Sequence, residues 1–127
     1  MITLLLISTR NDALVDLSSG LKKDEGIEII QVESGLKALD QISKKFFDLV
    51  ISDETTVDIT GLEFAKKLLQ VSPATNCAIV SPLSSKEFHE ASEGLGILMQ
   101  LPVRPDEKQA EALLKHLKKI LLLTNKR

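Results

Sequence analysis

The stretch that decides the fold is Asp48-Leu-Val-Ile-Ser-Asp53. Its short apolar run has no polar alternation, which is typical of a parallel strand that is buried on both faces. A polar loop follows, from Asp53 to Thr60, and Gly61 then precedes a helical pattern. One strand followed directly by one helix is the repeating unit of an α/β sheet. The inward positions of that helix are predicted at Leu62, Ala65, Leu68 and Leu69.

The same strand-then-helix unit recurs on both sides of this stretch. Apolar runs predict five strands, and helical spacing or a capping pattern predicts a helix after each. Right-handed crossovers make this a doubly wound parallel sheet in the order 2-1-3-4-5, with helices on both faces. The predicted strands are residues 2–7, 27–32, 48–52, 77–81 and 97–101.

Helix limits follow from capping residues, glycine and proline. Ser34 is expected to cap the second helix, and Ser84 with Glu87 forms a capping-box pattern that opens the fourth. Gly94 is expected to end that fourth helix, and Pro105 to lie in the first turn of the last one. We expect one domain over residues 1–123 and a short tail over residues 124–127.

Composition limits the possible functions. The 127 residues are 43% hydrophobic and 27% charged, which suits one packed domain. Only 3% are aromatic and the net charge is −2, so a direct nucleic-acid partner is not expected. No apolar stretch approaches the ~20 residues that span a bilayer, so no membrane contact is expected. The single cysteine, Cys77, fits a reducing compartment and hence the cytoplasm.

Sites in open α/β sheets form beyond the carboxyl ends of the strands. The segments found there are Ser8-Thr9-Arg10, Asp53-Glu54-Thr55, Ser81-Pro82 and Leu101-Pro102. In this order they resemble the receiver domain of two-component response regulators, from Ile2 to about Leu122. The most specific features are the stretch 48–53, Gly61 eight residues after it, Ile79-Val80-Ser81, and Gly94 seven residues before Leu101.

The resemblance implies roles for several residues. Asp53 corresponds to the phosphoacceptor, Ser81 to the hydroxyl that responds to phosphorylation, and Leu98 to the aromatic partner of that hydroxyl. The family also uses two acidic residues to hold magnesium and a lysine followed by proline, with a cis bond. In this sequence Ser8 and Thr9 replace the two acids, and Leu101 replaces the lysine. Because Pro102 is retained, the resemblance implies a cis bond between Leu101 and Pro102.

These replacements predict a degenerate phosphorylation pocket. Magnesium prefers carboxylate oxygens, so two neutral hydroxyls are expected to bind it weakly or not at all, and no other cofactor is expected. Two interpretations of the nearby arginines stay open: the guanidinium group of Arg10 or Arg104 fills the vacated cation position beside Asp53, or it is exposed on a loop. Glu54 and Asp58 lie in the same loop, either as replacement carboxylates for a cation or free in solvent.

The remaining polar and reactive residues point to no other chemistry. His89 and His116 have no partner at ligand spacing, so both are expected at the surface. Cys77 is expected to pack as a small apolar group. No nucleophile elbow, Gly-rich phosphate loop or zinc pattern occurs, so an enzyme is not expected.

The sequence therefore predicts a pseudo-receiver, a protein-interaction module of phosphorelay signalling. Its expected partners are a histidine kinase, an output domain or a second receiver. Docking or dimerisation is expected on the face of helix 4, strand 5 and helix 5, with Phe88, Leu95 and the stripe from Lys108 to Lys119 as candidates. Two alternatives remain open: a working phosphoacceptor of unusual chemistry at Asp53, and a small-ligand or anion site at the same strand ends.

Overall fold

The computed structural model describes residues 2–124. Over that range, strands and helices alternate along the chain, and the strands form one parallel sheet in the predicted order β2-β1-β3-β4-β5. The elements are β1 (Ile2–Ile7), α1 (Asn11–Lys22), β2 (Ile27–Val32), α2 (Gly35–Lys44), β3 (Leu49–Ser52), α3 (Gly61–Val71), β4 (Asn76–Val80), α4 (Ser85–Ala91), β5 (Met99–Leu101) and α5 (Glu107–Thr124).

The sheet has a hydrophobic core on each face. Because side chains alternate along a strand, Leu4 and Leu6 of β1 pack with α1 and α5, whereas Leu5 and Ile7 pack with α2, α3 and α4. Every residue of β3 is buried, as its unbroken apolar run predicts. The order in which strands are added to the sheet reverses between β1 and β3, and this switch point creates a crevice at the carboxyl ends of the two strands.

Side-chain caps fix where three helices begin. The Ser34 hydroxyl accepts a hydrogen bond from the amide of Lys37, and Ser84 and Glu87 form the predicted capping box. Thr60 and Glu63 form a second capping box at the start of α3, which was not predicted from the sequence. This box ties down the last residue of the loop that leaves β3.

Several predicted boundaries are wrong by a few residues. Helix α4 ends at Ala91, and Gly94 lies beyond it in the loop, with a φ of +83°. Strand β5 starts at Met99 because only three of its residues pair with β4. Pro105 precedes α5, where the Asp106 carboxylate accepts a hydrogen bond from the amide of Lys108. The edges of β3 and β4 each differ from the prediction by one residue.

One inward-facing prediction on α3 is wrong, and one buried position on that helix was not predicted. Leu69, which was predicted to face inward, is 40% exposed. Phe64, which was not predicted to face inward, is buried. The buried stripe of α3 is centred on Phe64, Ala65 and Leu68, which turns Leu69 away from the sheet.

Of the predicted tail, Thr124 ends α5, and residues 125–127 lie outside the described residues. None of the described helices combines the length and apolar character needed to cross a bilayer.

Candidate functional site

The candidate site lies where β1 and β3 end side by side. The amide of Asp53 donates to the carbonyl of Ile7 at 2.9 Å, which places Asp53 directly beside the residue that follows β1. That residue is Ser8, and both Ser8 and Asp53 are fully buried. The pairing of two neighbouring parallel strands thus brings together residues that are 45 positions apart in sequence.

The Asp53 carboxylate accepts four hydrogen bonds. Oδ1 accepts from Arg10 Nη2 at 2.6 Å and from the amide of Glu54 at 2.8 Å. Oδ2 accepts from Arg10 Nε at 2.8 Å and from the Ser8 hydroxyl at 2.9 Å. An ionised carboxylate offers about four lone-pair positions. The acceptor capacity of Asp53 is therefore filled by protein groups.

Arg10 forms the ion pair that was predicted for one of two arginines. Its guanidinium group binds Asp53 through two parallel N–H bonds, and Nη2 also donates to the carbonyl of Val103 at 3.3 Å. The hydrogen bonds to Asp53 raise the pKa of Arg10 above its ordinary value. Arg104 instead lies 3.8 Å from Asp12, with most of its side chain in solvent.

Ser8 orders both members of this ion pair. Its hydroxyl donates to Asp53 Oδ2 and accepts a hydrogen bond from the backbone amide of Arg10 at 2.8 Å. The next residue, Thr9, is exposed, and its side chain forms no hydrogen bond with the described residues. Of the two hydroxyls in the Ser8-Thr9 pair, only Ser8 therefore faces Asp53.

The β4 and β5 side of the crevice does not join this network. The Ser81 hydroxyl accepts from the amide of Leu83 at 3.2 Å, and no hydrogen bond links it to Asp53 within residues 2–124. Leu101 is fully buried, and Leu98 packs at the edge of the same cluster with α1 and α5. The apolar side chain of Leu101 belongs to the core, so it brings no polar group to Asp53.

The expected cis bond before Pro102 is not present. No peptide bond among the described residues is cis. The trans form of a bond before proline is favoured by about 0.5–1 kcal/mol. Here the carbonyl of Leu101 accepts a hydrogen bond from the amide of Ser81 at 2.9 Å, while Pro102 turns outward into solvent.

The far end of the β3–α3 loop is held at the start of α2. Asp58 accepts hydrogen bonds from the Ser34 hydroxyl, the Thr56 hydroxyl and the amide of Gly35. These bonds, with that of Ser34 the largest, lower the pKa of Asp58 to about 2. Asp58 is thus neither a second carboxylate beside Asp53 nor free in solvent, because it caps a helix.

The other members of the predicted pocket lie around the mouth of the crevice. Glu54 is exposed and reaches Asp53 through its backbone amide. Thr55 forms an isolated antiparallel bridge with Thr60. Within the described part of the chain, no three His, Cys, Asp or Glu side chains are gathered in a way that could hold a metal ion. Around Asp53, the groups present are the Ser8 hydroxyl, the Glu54 amide and the Arg10 guanidinium cation, a set that does not fit magnesium.

Two contacts at the site had no signal in the sequence. The Val103 partner of Arg10 is a backbone carbonyl, which any residue could supply. Gln100 Nε2 donates to the carbonyls of Ser81 and Leu83, at 3.3 and 2.8 Å, and so joins β5 to the loop after β4. Neither contact follows from a motif, because both depend on loop geometry.

The predicted docking face is only partly exposed. Phe88 is buried in the core between α4 and the sheet, so it is not available to a partner. Leu95 is half-buried, whereas the lysines of α5 are exposed, and one of them, Lys118, pairs with Asp24.

His89 and His116 are exposed, as predicted. Cys77 is buried as an apolar group, and burial raises the pKa of its thiol to about 12.

The sequence matches the family model of the response regulator receiver domain over residues 4–117. The chain therefore belongs to the response regulator receiver domain family, whose members are modules of phosphorelay signalling. No curated protein matches the sequence.

Solved structures share the fold at low sequence identity. The chemotaxis response regulator CheY4 of Vibrio cholerae has a TM-score of 0.79 and 22% identity, over 92% of this chain and 98% of that one. The signal receiver domain of an HD domain-containing protein from Pseudomonas fluorescens has a TM-score of 0.81 and 18% identity, over 99% and 93%. A streptococcal redox sensor described as evolved from two-component response regulators has a TM-score of 0.79 and 20% identity, over 98% and 55%.

Proposed function

We propose that this receiver domain is a pseudo-receiver, a protein-interaction module that does not run magnesium-dependent phosphorylation. The observation that carries this proposal is the bidentate ion pair between Arg10 and Asp53. Bidentate pairing between arginine and a carboxylate is among the stronger charge-assisted contacts in proteins. Arg10 thereby neutralises the carboxylate that a phosphoryl group and its metal ion would otherwise engage.

The filled acceptor capacity of Asp53 supports the proposal. To attack a phosphorus atom, a carboxylate oxygen must give up one of its hydrogen bonds, and at each oxygen one of these comes from Arg10. A hydrogen bond to a charged group contributes about 1.5–3 kcal/mol. A barrier raised by that amount slows a reaction by roughly tenfold to more than a hundredfold.

The residues at the former metal and lysine positions support it as well. Catalysis of phosphoryl transfer consists almost entirely of positioning and charge neutralisation. The Ser8 hydroxyl is already engaged with Asp53, Thr9 is exposed, and Leu101 has no donor to offer a phosphoryl oxygen. Arg10 is a permanent cation, but its guanidinium group binds the Asp53 carboxylate and is therefore not free to bind an incoming phosphoryl group.

The test is incubation of the chain with acetyl phosphate and magnesium chloride, followed by intact-mass measurement. We expect no phosphoryl adduct on the natural sequence. Asp53→Asn is the matched control, because it removes the acceptor and keeps the side-chain shape. An adduct on the natural sequence that Asp53→Asn abolishes would establish the alternative, a working phosphoacceptor, and overturn the pseudo-receiver.

A magnesium titration followed by NMR tests the metal part separately. We expect no saturable shift of the amides of residues 8–10 and 53–55 at millimolar magnesium, because Arg10 occupies the carboxylate. The variant Arg10→Gln should bind no better than weakly, since Ser8 and Thr9 supply only neutral oxygens. Saturable shifts in the natural sequence would contradict the proposal.

As a pseudo-receiver, the domain would act by binding another protein. We place the docking surface on α4, β5 and α5, where Leu95 is half-buried and Lys108, Lys115 and Lys119 are exposed. A histidine kinase, an output domain or a second receiver would bind there, in the cytoplasm, where a lone buried thiol is stable. An anion site at the strand ends is disfavoured, because Asp53 already neutralises Arg10.

A further inference from the structure

Arg10 contacts two different loops at once. We infer that Arg10 is a strap that fixes the β5–α5 loop, residues 102–106, to the Asp53 carboxylate, so that the ion pair between Arg10 and Asp53 sets the order of the segment leading into α5. This inference rests on the proposed function, since it describes what the ion pair does when Asp53 is not phosphorylated. It makes Arg10 a positioning residue for a loop beside the docking surface.

The geometry of the guanidinium group makes the two contacts interdependent. Nη2 donates to Asp53 Oδ1 at 2.6 Å and to the carbonyl of Val103 at 3.3 Å. Nε binds Asp53 Oδ2 at 2.8 Å, which fixes the plane of the group. Because guanidinium is a rigid planar fork, the two bonds to Asp53 fix the direction in which Nη2 points, and that direction is toward the carbonyl of Val103.

The strap is the main polar contact of residues 102–105, whereas Asp106 is held at the start of α5, where its amide donates to Gln109 Oε1 at 2.8 Å. Within residues 2–124, no other side chain donates a hydrogen bond to the backbone of residues 102–105. Pro102 and Arg104 are exposed, and the long contact between Arg104 and Asp12 adds little. Pro105 is buried, so the loop is held by its apolar end as well. The effect of the strap should therefore concentrate at Val103 and Arg104.

The loop leads directly into α5, whose start is packed on α1. The carbonyl of Asp106 accepts from the amide of Ala110, and Ala110 lies so close to Gly20 that a Cβ on Gly20 would meet it at 2.8 Å. Lys23 and Glu107 form an ion pair at 2.7 Å across the same helices. Release of Val103 would thus loosen the loop while α5 stays seated.

The test measures backbone order by 15N relaxation on the full chain. In the natural sequence we expect order parameters for Val103 and Arg104 close to those of the helices, about 0.85. In Arg10→Gln and in Arg10→Lys both should fall toward about 0.6. Lysine keeps the positive charge beside Asp53 but lacks the planar fork of donors. The Arg10→Lys variant therefore shows whether the order of the loop depends on the fork or on the charge alone. Arg104→Gln is the matched control and should leave the value at Val103 unchanged.

Each outcome decides the inference. Unchanged order at Val103 and Arg104 in both Arg10 variants would overturn it, and so would an Arg10→Lys variant that behaves like the natural sequence. Asp53→Asn should lower the same two values, because the Asp53 side of the strap loses its charge; no change there would also overturn it. Failure of the proposed function is seen separately, as a phosphoryl adduct on the natural sequence, which these order parameters do not report.

Discussion

The two ends of the β3–α3 loop each hold an aspartate, and they hold it in different ways. Asp53 is fully buried and depends on one cation, Arg10, together with the Ser8 hydroxyl. Asp58 is exposed, and its partners among residues 2–124 are neutral: the Ser34 hydroxyl and the Gly35 amide at the start of α2, and the Thr56 hydroxyl in its own loop. The two carboxylates are five residues apart in the same loop.

The difference follows from solvation. A buried carboxylate has lost its water, so it stays ionised only if a charged partner and good hydrogen bonds replace that water. An exposed carboxylate keeps much of its hydration, and a helix N-terminus with two hydroxyls is sufficient to hold it. The Asp53 end should therefore be sensitive to single substitutions, and the Asp58 end should be tolerant.

The largest effect is expected for Arg10→Met. It leaves the Asp53 carboxylate buried without a cation, which should lower the free energy of unfolding by about 3 kcal/mol. We take the lower end of the range for breaking a buried pair, because 34% of the Arg10 side chain is exposed and water can partly replace it. Urea unfolding measures the change.

Two further variants make that result interpretable. Arg104→Met removes an exposed arginine of the same crevice and should cost less than about 0.5 kcal/mol. The double variant Arg10→Met with Asp53→Asn removes the unpaired charge and should recover much of the loss. If Arg10→Met costs no more than Arg104→Met, the Asp53 end does not depend on its cation.

The second comparison replaces one glycine beside each end of the β3–α3 loop, Gly61 near Asp53 and Gly35 near Asp58. A Cβ on Gly61 would lie 2.6 Å from the backbone oxygen of Asp53, which cannot move without shifting the end of β3. A Cβ on Gly35 would lie 2.6 Å from Cγ1 of Ile59, a side-chain atom whose displacement does not require the backbone to shift. We expect Gly61→Ala to cost about 2 kcal/mol and Gly35→Ala about 1 kcal/mol.

Both glycines begin a helix, so the gain in helix propensity from alanine is similar and does not affect the difference. Thermal unfolding of the two variants and the natural chain measures the ranking. A larger loss for Gly35→Ala would mean that the Asp58 end is the more rigid one, the reverse of what the contacts indicate.

The sequence was sufficient to predict the sheet, because each strand is short, apolar and followed by a helical pattern. It was less accurate where a periodic pattern is ambiguous. On α3, apolar residues occupy both Leu68 and Leu69, and only packing decides that Phe64 is buried and Leu69 is not. On α4, Phe88 was assigned to the surface, although a single large apolar residue on a seven-residue helix is needed by the core.

The candidate site was predictable in its members and not in its geometry. Strand ends placed Ser8, Arg10 and Asp53 together, but Arg10 and Arg104 could not be distinguished, because a long side chain can reach several groups from one position. The capping box of Thr60 and Glu63 was visible in the sequence by the same pattern that identified Ser84 and Glu87. The cap at Asp58 was not, since it joins two loops that only the fold brings together.

The smallest effect is expected for Asp58→Asn, and it should depend on pH. Hydrogen bonds lower the pKa of Asp58 to about 2, from an ordinary value of 3.8. Its stabilising contribution is therefore fully present above the ordinary value, declines as the pH falls below about 4, and is lost as the pH falls through about 2.

The urea midpoint of the natural chain minus that of Asp58→Asn isolates this contribution from other carboxylates. The difference should be constant from pH 7 to about pH 5 and should shrink toward zero between about pH 4 and pH 2. Asparagine keeps one of the two side-chain oxygens, which can still accept from the amide of Gly35, so the difference at neutral pH should be well below that for Arg10→Met. A difference that grows as the pH falls would mean that the helix N-terminus does not stabilise the ionised form of Asp58, and the contrast between the two ends of the loop would then rest on Asp53 alone.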